Sequence, residues 1–171
     1  RNFANKLWNA ARFVMMNLDI EDIALPEEDK LAPEDKWILS HFNAAAESVN
    51  TNLDSYEIGV ALSTLYNFIW DEYCDWYIEL AKASLTGEDK ERANVTQNVL
   101  AYVLRETLKL LHPFMPFITE EIYSGLPGTE GSIMIETYPK ASDALRFADA
   151  ANMDKVIDAI RAIRTRRAEM N

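Results

Sequence analysis

Apolar residues recur along most of the chain at intervals of three and four, the spacing that places side chains on one face of an α-helix. The first such stripe is formed by Phe3, Ala4, Leu7, Ala10, Ala11, Val14 and Leu18. Similar patterns predict further main helices at about 33–49, 56–85, 88–111 and 148–170, and a short helix from Thr119 to about Gly125. We therefore expect an all-α helical bundle of about five main helices.

Other segments predict where the helical pattern stops. Pro113 and Pro116 interrupt the chain after the fourth main helix, because proline cannot continue a helix. Ile133 and Ile135 alternate with other residues, which predicts a short extended segment near 132–138. The last helix has one apolar face that we expect to point inward, formed by Met153, Val156, Ile157, Ile160 and Ile163.

The second face of the first helix carries cations, amides and an aromatic ring but no carboxylate. Its residues are Arg1, Asn2, Asn5, Lys6, Asn9, Arg12 and Phe13. Cations bind phosphate, asparagine amides donate to and accept from base edges, and an exposed ring stacks on an unpaired base. This face therefore fits single-stranded nucleic acid, although a short basic amphipathic helix is more often a solvated surface.

The chain as a whole is acidic, with a formal net charge of −11 at pH 7, which by itself argues against a nucleic-acid partner. The cations, however, are concentrated in residues 1–18 and 155–171. The last helix presents a basic face that forms a second candidate contact for RNA, namely Arg161, Arg164 and Arg167. The same face could instead meet an acidic stripe on the longest helix, and the sequence leaves both possibilities open. That stripe is Asp71, Asp75 and Glu79.

No residue pattern for bond chemistry is present, and the acidic stripe, which could in principle hold a metal ion, lacks a companion histidine. Cys74 is the single cysteine, so a cysteine-based zinc site and an internal disulfide are excluded. Its aromatic neighbours favour a buried, inert thiol. Glycine-rich nucleotide motifs and a Ser-His-Asp arrangement do not occur. We therefore expect no catalytic residue, no metal site and no cofactor.

The sequence shows neither a membrane-spanning segment nor a secretory signal. No apolar run reaches the roughly 18 residues of a membrane span, and no secretory signal opens the sequence. We expect a cytoplasmic protein without membrane contact. Position 1 is an arginine inside a helical pattern, which indicates a fragment of a longer protein.

Four stretches resemble the anticodon-binding helical domain of class I aminoacyl-tRNA synthetases, and that of the valine enzymes most of all. They are RNFANKLWNAARFV at 1–14, WDEYCDWYIEL at 70–80, LHPFMPFITEEIY at 111–123 and AIRAIRTRRAEMN at 159–171. Their order and approximate spacing are those of that family. The resemblance extends from one end of the chain to the other.

This resemblance implies that residues 1–171 are one anticodon-binding bundle of a valine–tRNA ligase. Such a domain holds the anticodon loop of valine tRNA, while a catalytic domain of the same parent chain activates valine with ATP. The catalytic signatures HIGH and KMSKS do not occur in the sequence. We therefore expect that this segment alone is a monomer that binds tRNA without aminoacylating it.

The resemblance also places the anticodon contacts on the first helix, at Arg1, Asn5, Lys6, Asn9, Arg12 and Phe13. In this hypothesis Arg12 and Lys6 serve phosphates or a base edge, and the two asparagines read base edges. Phe13 stacks on an unstacked base.

Two alternatives remain. The domain could belong to an isoleucyl- or leucyl-tRNA synthetase, in which case another tRNA would bind best. It could also be a helical protein-interaction module that buries the 1–13 face against a protein, with weak and salt-labile affinity for RNA.

Overall fold

The computed structural model describes residues 2–170 and confirms an all-α bundle. The five main helices and the short helix predicted from the sequence all form. They are α1 (Asn2–Met16), α2 (Pro33–Asp54), α3 (Ile58–Asn67, Phe68–Tyr77 and Ile78–Thr86 in direct succession), α4 (Lys90–Leu111), α5 (Pro116–Ser124) and α6 (Ala150–Glu169). Short 3₁₀ turns occur at Glu28–Lys30, Ile133–Ile135 and Asp143–Leu145.

The core lies where α2, α3 and α4 meet. α2 packs against α3, α4 and α6, whereas α1 packs against the middle of α3, against α4 and against α5. The largest fully buried side chains include Trp37, Phe42, Tyr73 and Tyr77. Because Leu7, Ala10, Ala11 and Val14 of α1 are buried in this core, the direction in which the opposite face of α1 points is fixed by packing.

A buried carboxylate ties the start of α2 to α3 and α4. Asp35 is fully buried. One of its oxygens accepts the backbone N–H of Ala32 at 3.0 Å and so caps the start of α2. Pro33 suits the first turn of this helix because a proline has no backbone N–H that would need a partner there. Tyr77 of α3 donates its hydroxyl to the other oxygen at 2.7 Å. The guanidinium of Arg92 on α4 completes the network. A buried charge is stable here because each of its oxygens has donors.

The middle of α3, Phe68–Tyr77, is a π-helix. In this segment a backbone N–H bonds to the carbonyl five residues earlier, as Ile78 does to Tyr73. π-helical turns often occur at functional sites. Six side chains of the segment are buried, namely Phe68, Ile69, Tyr73, Cys74, Trp76 and Tyr77.

The prediction of an extended segment near 132–138 is wrong. Ile133–Ile135 is a 3₁₀ turn in which Ser132 accepts the N–H of Met134, and the N–H of Ile135 bonds to the Ser132 carbonyl. No strand forms within residues 2–170, so this backbone satisfies its polar groups locally. Ile133 is buried and Ile135 is exposed.

The inward face predicted for α6 is also partly wrong. Ile157 is buried, and Met153 and Ile160 are partly buried against the core, but Val156 and Ile163 are exposed. α6 therefore packs along a narrower strip than its sequence pattern indicates.

Candidate nucleic-acid interface

The outer face of α1 forms a polar ridge. Asn2, Asn5, Asn9 and Arg12 are exposed, and their spacing places them on one side of the helix. The side chains of Asn5, Asn9 and Arg12 form no hydrogen bond or ion pair with another residue of the segment 2–170. Their donors and acceptors are therefore open to a partner. Arg1, which the sequence adds to this set, lies outside the described residues.

Lys6 and Phe13 lie on the flank of α1 that faces α3. The Lys6 ammonium pairs with Asp75 at 2.6 Å and lies 3.8 Å from the ring centroid of Trp70. Phe13 is partly buried against the core, and the Lys82 ammonium lies 5.6 Å from its ring. Both side chains are thus partly engaged within the protein, and their contact with RNA stays a prediction.

An aromatic residue of α1 that sequence reasoning did not select is exposed. Trp8 keeps 42% of its surface accessible and lies one turn before Arg12 on the same side of the helix. The sequence did indicate this exposure, because Trp8 lies outside the apolar stripe of α1. A large ring that is not on the core-facing side of a helix faces solvent or a partner.

The basic face of α6 contacts the ring of Trp76 on α3 and not the acidic stripe of α3. The guanidinium carbons of Arg161 and Arg164 lie 5.3 and 5.0 Å from the ring centroid of Trp76. Both arginines line a cavity of about 500 Å³ whose other walls include the acidic stripe Asp71, Asp75 and Glu79. Arg167 is exposed.

The acidic stripe is largely neutralised by lysines. Asp75 pairs with Lys6, and Glu79 pairs with Lys82 at 2.6 Å. Within residues 2–170, Arg161 instead pairs with Asp158 of its own helix at 3.3 Å. The repulsion expected among three carboxylates on one face is therefore offset mainly by lysines.

The thiol of Cys74 lines the same cavity but is unsuited to chemistry. Burial raises the pKa of Cys74 to about 12, and the opposing attraction of Lys6 is smaller. A thiol is a poor nucleophile when so little thiolate is present. Within residues 2–170 no three His, Cys, Asp or Glu side chains are grouped to hold a metal ion. None of the helices in that segment is long and apolar enough to cross a membrane.

Comparison with known sequences identifies the family. Residues 35–171 match the family described as "Anticodon-binding domain of tRNA ligase". Similar proteins include the valine–tRNA ligases of Bacillus cereus, Oceanobacillus iheyensis and Staphylococcus saprophyticus, at 51%, 48% and 45% identity over 174 residues. Each alignment covers 99% of this chain and 20% of the relative, so the chain spans about a fifth of the length of these enzymes.

The alignments with the three ligases extend over α1, which precedes the segment matched by the family. The match to the family covers the bundle from α2 to α6. This chain therefore belongs to the family of anticodon-binding domains of tRNA ligases.

Proposed function

We propose that this domain binds the anticodon loop of valine tRNA through the outer ridge of α1. The observation that supports the proposal is the state of Asn5, Asn9 and Arg12, which are exposed and form no polar contact with other residues of 2–170. The protein has 28 acidic side chains against 17 lysines and arginines, yet no carboxylate of residues 2–170 pairs with Arg12, so its charge is available to a phosphate. Such a set of side chains suits an RNA loop with unpaired bases.

Within this proposal the side chains divide by chemistry. The amides of Asn5 and Asn9 donate to and accept from base edges, and Arg12 binds a phosphate or a base edge. Phe13 stacks on a base at the edge of α1 beside Lys82. Lys6 contributes positive charge next to Trp70, and Arg1 belongs to the same proposed surface.

The choice of valine tRNA rests on the names of the similar ligases. We assign the activation of valine with ATP to a separate catalytic domain of the parent protein, and neither a catalytic residue nor a cofactor to residues 1–171. In this view the domain is a monomeric module of a cytoplasmic enzyme. Its part is to position the tRNA.

The test compares two RNAs. The dissociation constant of the protein is measured for valine tRNA and for a copy with the middle anticodon base changed, at two salt concentrations. We expect tighter binding of the unaltered tRNA at both, because base contacts depend less on salt than phosphate contacts do. Equal affinities that fall steeply with salt would contradict the proposal.

A variant and a matched control make the test specific to α1. Asn9→Ala should remove most of the discrimination between the two RNAs, since an amide paired to a base edge contributes about 1–3 kcal/mol of selectivity. Asn67→Ala changes another exposed helical asparagine, on α3, and should leave the discrimination intact. Equal loss in the two variants would argue against readout by α1.

A further inference from the structure

Arginines in this acidic chain usually lie beside a carboxylate. Five arginines form ion pairs within residues 2–170, namely Arg92, Arg105, Arg146, Arg161 and Arg166. Arg12, Arg164 and Arg167 form none in that segment. Arg12 belongs to the α1 ridge, but the proposed anticodon contacts on α1 do not explain the two arginines of α6.

Trp76 restrains the basic face of α6. Its ring is almost completely buried, and the guanidinium groups of Arg161 and Arg164 lie over it at 5.3 and 5.0 Å. A guanidinium that lies over an aromatic face can still donate from its N–H groups, which lie in its own plane. Holding a long side chain in advance also lowers the entropy lost when it binds a phosphate.

The two basic helices flank the same part of α3. On one side of it, Lys6 of α1 contacts Trp70 and Asp75, and Phe13 lies near Lys82. The start of α1 therefore lies beside the middle of α3, and its end lies beside the last turns.

On the other side, α6 runs in the same direction as α3. His41 joins Glu72 of α3 to Asp154 of α6, and Arg164, ten residues further along, lies over Trp76. Arg164 thus lies over the second half of α3, which the end of α1 also flanks at Lys82, and Arg167 follows three residues later on the same helix.

We propose that Arg164 and Arg167, supported by Arg161, bind backbone phosphates of the RNA that α1 contacts. The strand then crosses the C-terminal half of α3 between α1 and α6. This inference rests on the proposed function and adds a phosphate-binding surface to it. The lysines paired with Asp75 and Glu79 reduce the repulsion of a phosphate there.

The acidic wall of the cavity also limits where the phosphates bind. Asp71 forms no ion pair within residues 2–170, so this acidic wall repels an anion inside the cavity. The phosphates therefore bind at the outer edges of the guanidinium groups. RNA is favoured over an acidic protein partner because the Arg12 ridge, with its unpaired amides, lies on α1, whose end flanks the same half of α3.

The experiment uses the salt dependence of binding to valine tRNA. For each of Arg164→Gln and Arg167→Gln, the slope of log affinity against log salt concentration should become shallower by about 1, as for one lost phosphate contact. The ratio of affinities for the two anticodons should stay as in the unaltered protein, because a phosphate contact carries no base information.

Arg166→Gln is the matched control. Arg166 lies on the same turn as Arg164 and Arg167 and carries the same charge, but it pairs with Glu169 at 3.2 Å. Its replacement should leave the slope within error of the unaltered protein. Equal changes in all three variants would reveal a general charge effect, and no change in Arg164→Gln and Arg167→Gln would leave α6 to another partner. Either result overturns the inference.

Thermal unfolding of each variant identifies any loss that comes from misfolding, and Arg164→Lys serves as a second variant that keeps the charge if Arg164→Gln unfolds. The two proposals fail in different observables. Absent discrimination between anticodons contradicts the proposed function, whereas the slopes alone decide the role of α6.

Discussion

His41 of α2 and Glu72 of α3 are joined by a hydrogen bond of 2.8 Å between the imidazole Nδ1 and a carboxylate oxygen. The second ring nitrogen lies 3.2 Å from Asp154 of α6. Trp37 donates its indole N–H to the same Asp154 at 2.7 Å and lies against the His41 ring. This cluster connects three helices and holds the first half of α6 in place.

The cluster predicts that the protein loses stability as the pH rises through the raised pKa of His41. Burial lowers the pKa of His41, but the hydrogen bond to Glu72 and the attraction of Glu72 and Asp154 outweigh it, so the pKa lies above its ordinary value of 6.5. A raised pKa in the folded state means that the imidazolium stabilises the fold. That contribution is complete below the unfolded-state pKa and is lost as the pH rises through the folded-state pKa.

Urea denaturation at about pH 6 and pH 8 checks this prediction. His41→Gln should lower the free energy of unfolding by about 1 kcal/mol at the lower pH, as for a partly exposed ion pair, and by less at the higher pH. The control is His112→Gln, because His112 is the second of two histidines and bonds to the neutral hydroxyl of Thr119. The explanation fails if His41→Gln keeps the full pH dependence while His112→Gln removes it.

The sequence predicts the helices of this fold because their apolar positions follow one period over many residues. The buried side of α1 is an example, since Leu7, Ala10, Ala11 and Val14 were all assigned to it and all are buried. The side chains at the border of that stripe were harder to place. Whether Phe13 faces solvent depends on Lys82 and the end of α3, which lie far away in the sequence.

Features that arise from non-local contacts were not predictable from periodicity. The π-helical segment Phe68–Tyr77 differs from an α-helix in the carbonyl that the backbone N–H reaches, as in the bond from Ile78 to Tyr73, and the spacing of apolar residues does not reveal this. The alternating pattern around Ile133 indicated an extended segment, but without a neighbouring strand the backbone forms a local turn. For the same reason, the contact of Arg161 and Arg164 with Trp76 needed the structure.

Asp35 should be among the most sensitive positions for stability. Its replacement by alanine removes the partner of Tyr77 and Arg92 and the cap of Ala32. We expect a loss of about 3–5 kcal/mol in the free energy of unfolding, as when one member of a buried ion pair is removed. Chemical denaturation measures it. Asp29→Ala, at an exposed position just before α2, should change the stability by about 0.5 kcal/mol or less, and similar losses in both variants would count against the network.

Cys74 should react slowly with thiol reagents in the folded protein. Burial raises its pKa to about 12, so at about pH 8 the reactive thiolate is scarce. We expect disulfide-exchange labelling to be at least about a hundred times slower in the folded protein than in urea. Cys74→Ser supplies the background signal. Labelling at equal rates in the two states would mean that the thiol is open to the cavity beside Arg161.

Trp8 and Phe13 offer two rings for stacking, and their burial predicts different outcomes on replacement by alanine. Phe13→Ala should weaken tRNA binding by about 1–3 kcal/mol if the ring stacks on a base, and should also lower the free energy of unfolding, because the ring packs against the core. Trp8 is 42% exposed, so Trp8→Ala should change stability less. Any loss of affinity in Trp8→Ala would therefore come from a lost contact with RNA.

Phe117→Ala controls for the removal of a ring as such. Phe117 lies on α5 and is almost fully exposed, and it belongs to neither α1 nor α6, so its loss should affect neither binding nor stability. Affinity and unfolding free energy are measured on the same preparations, which separates a lost contact from a loosened helix. If Phe13→Ala binds valine tRNA as tightly as the unaltered protein and Trp8→Ala does not, the stacking role moves from the flank beside Lys82 to the side of α1 that carries Arg12. Unchanged affinity in both variants would leave stacking on α1 without support, and recognition would then have to rest on the amides of Asn5 and Asn9.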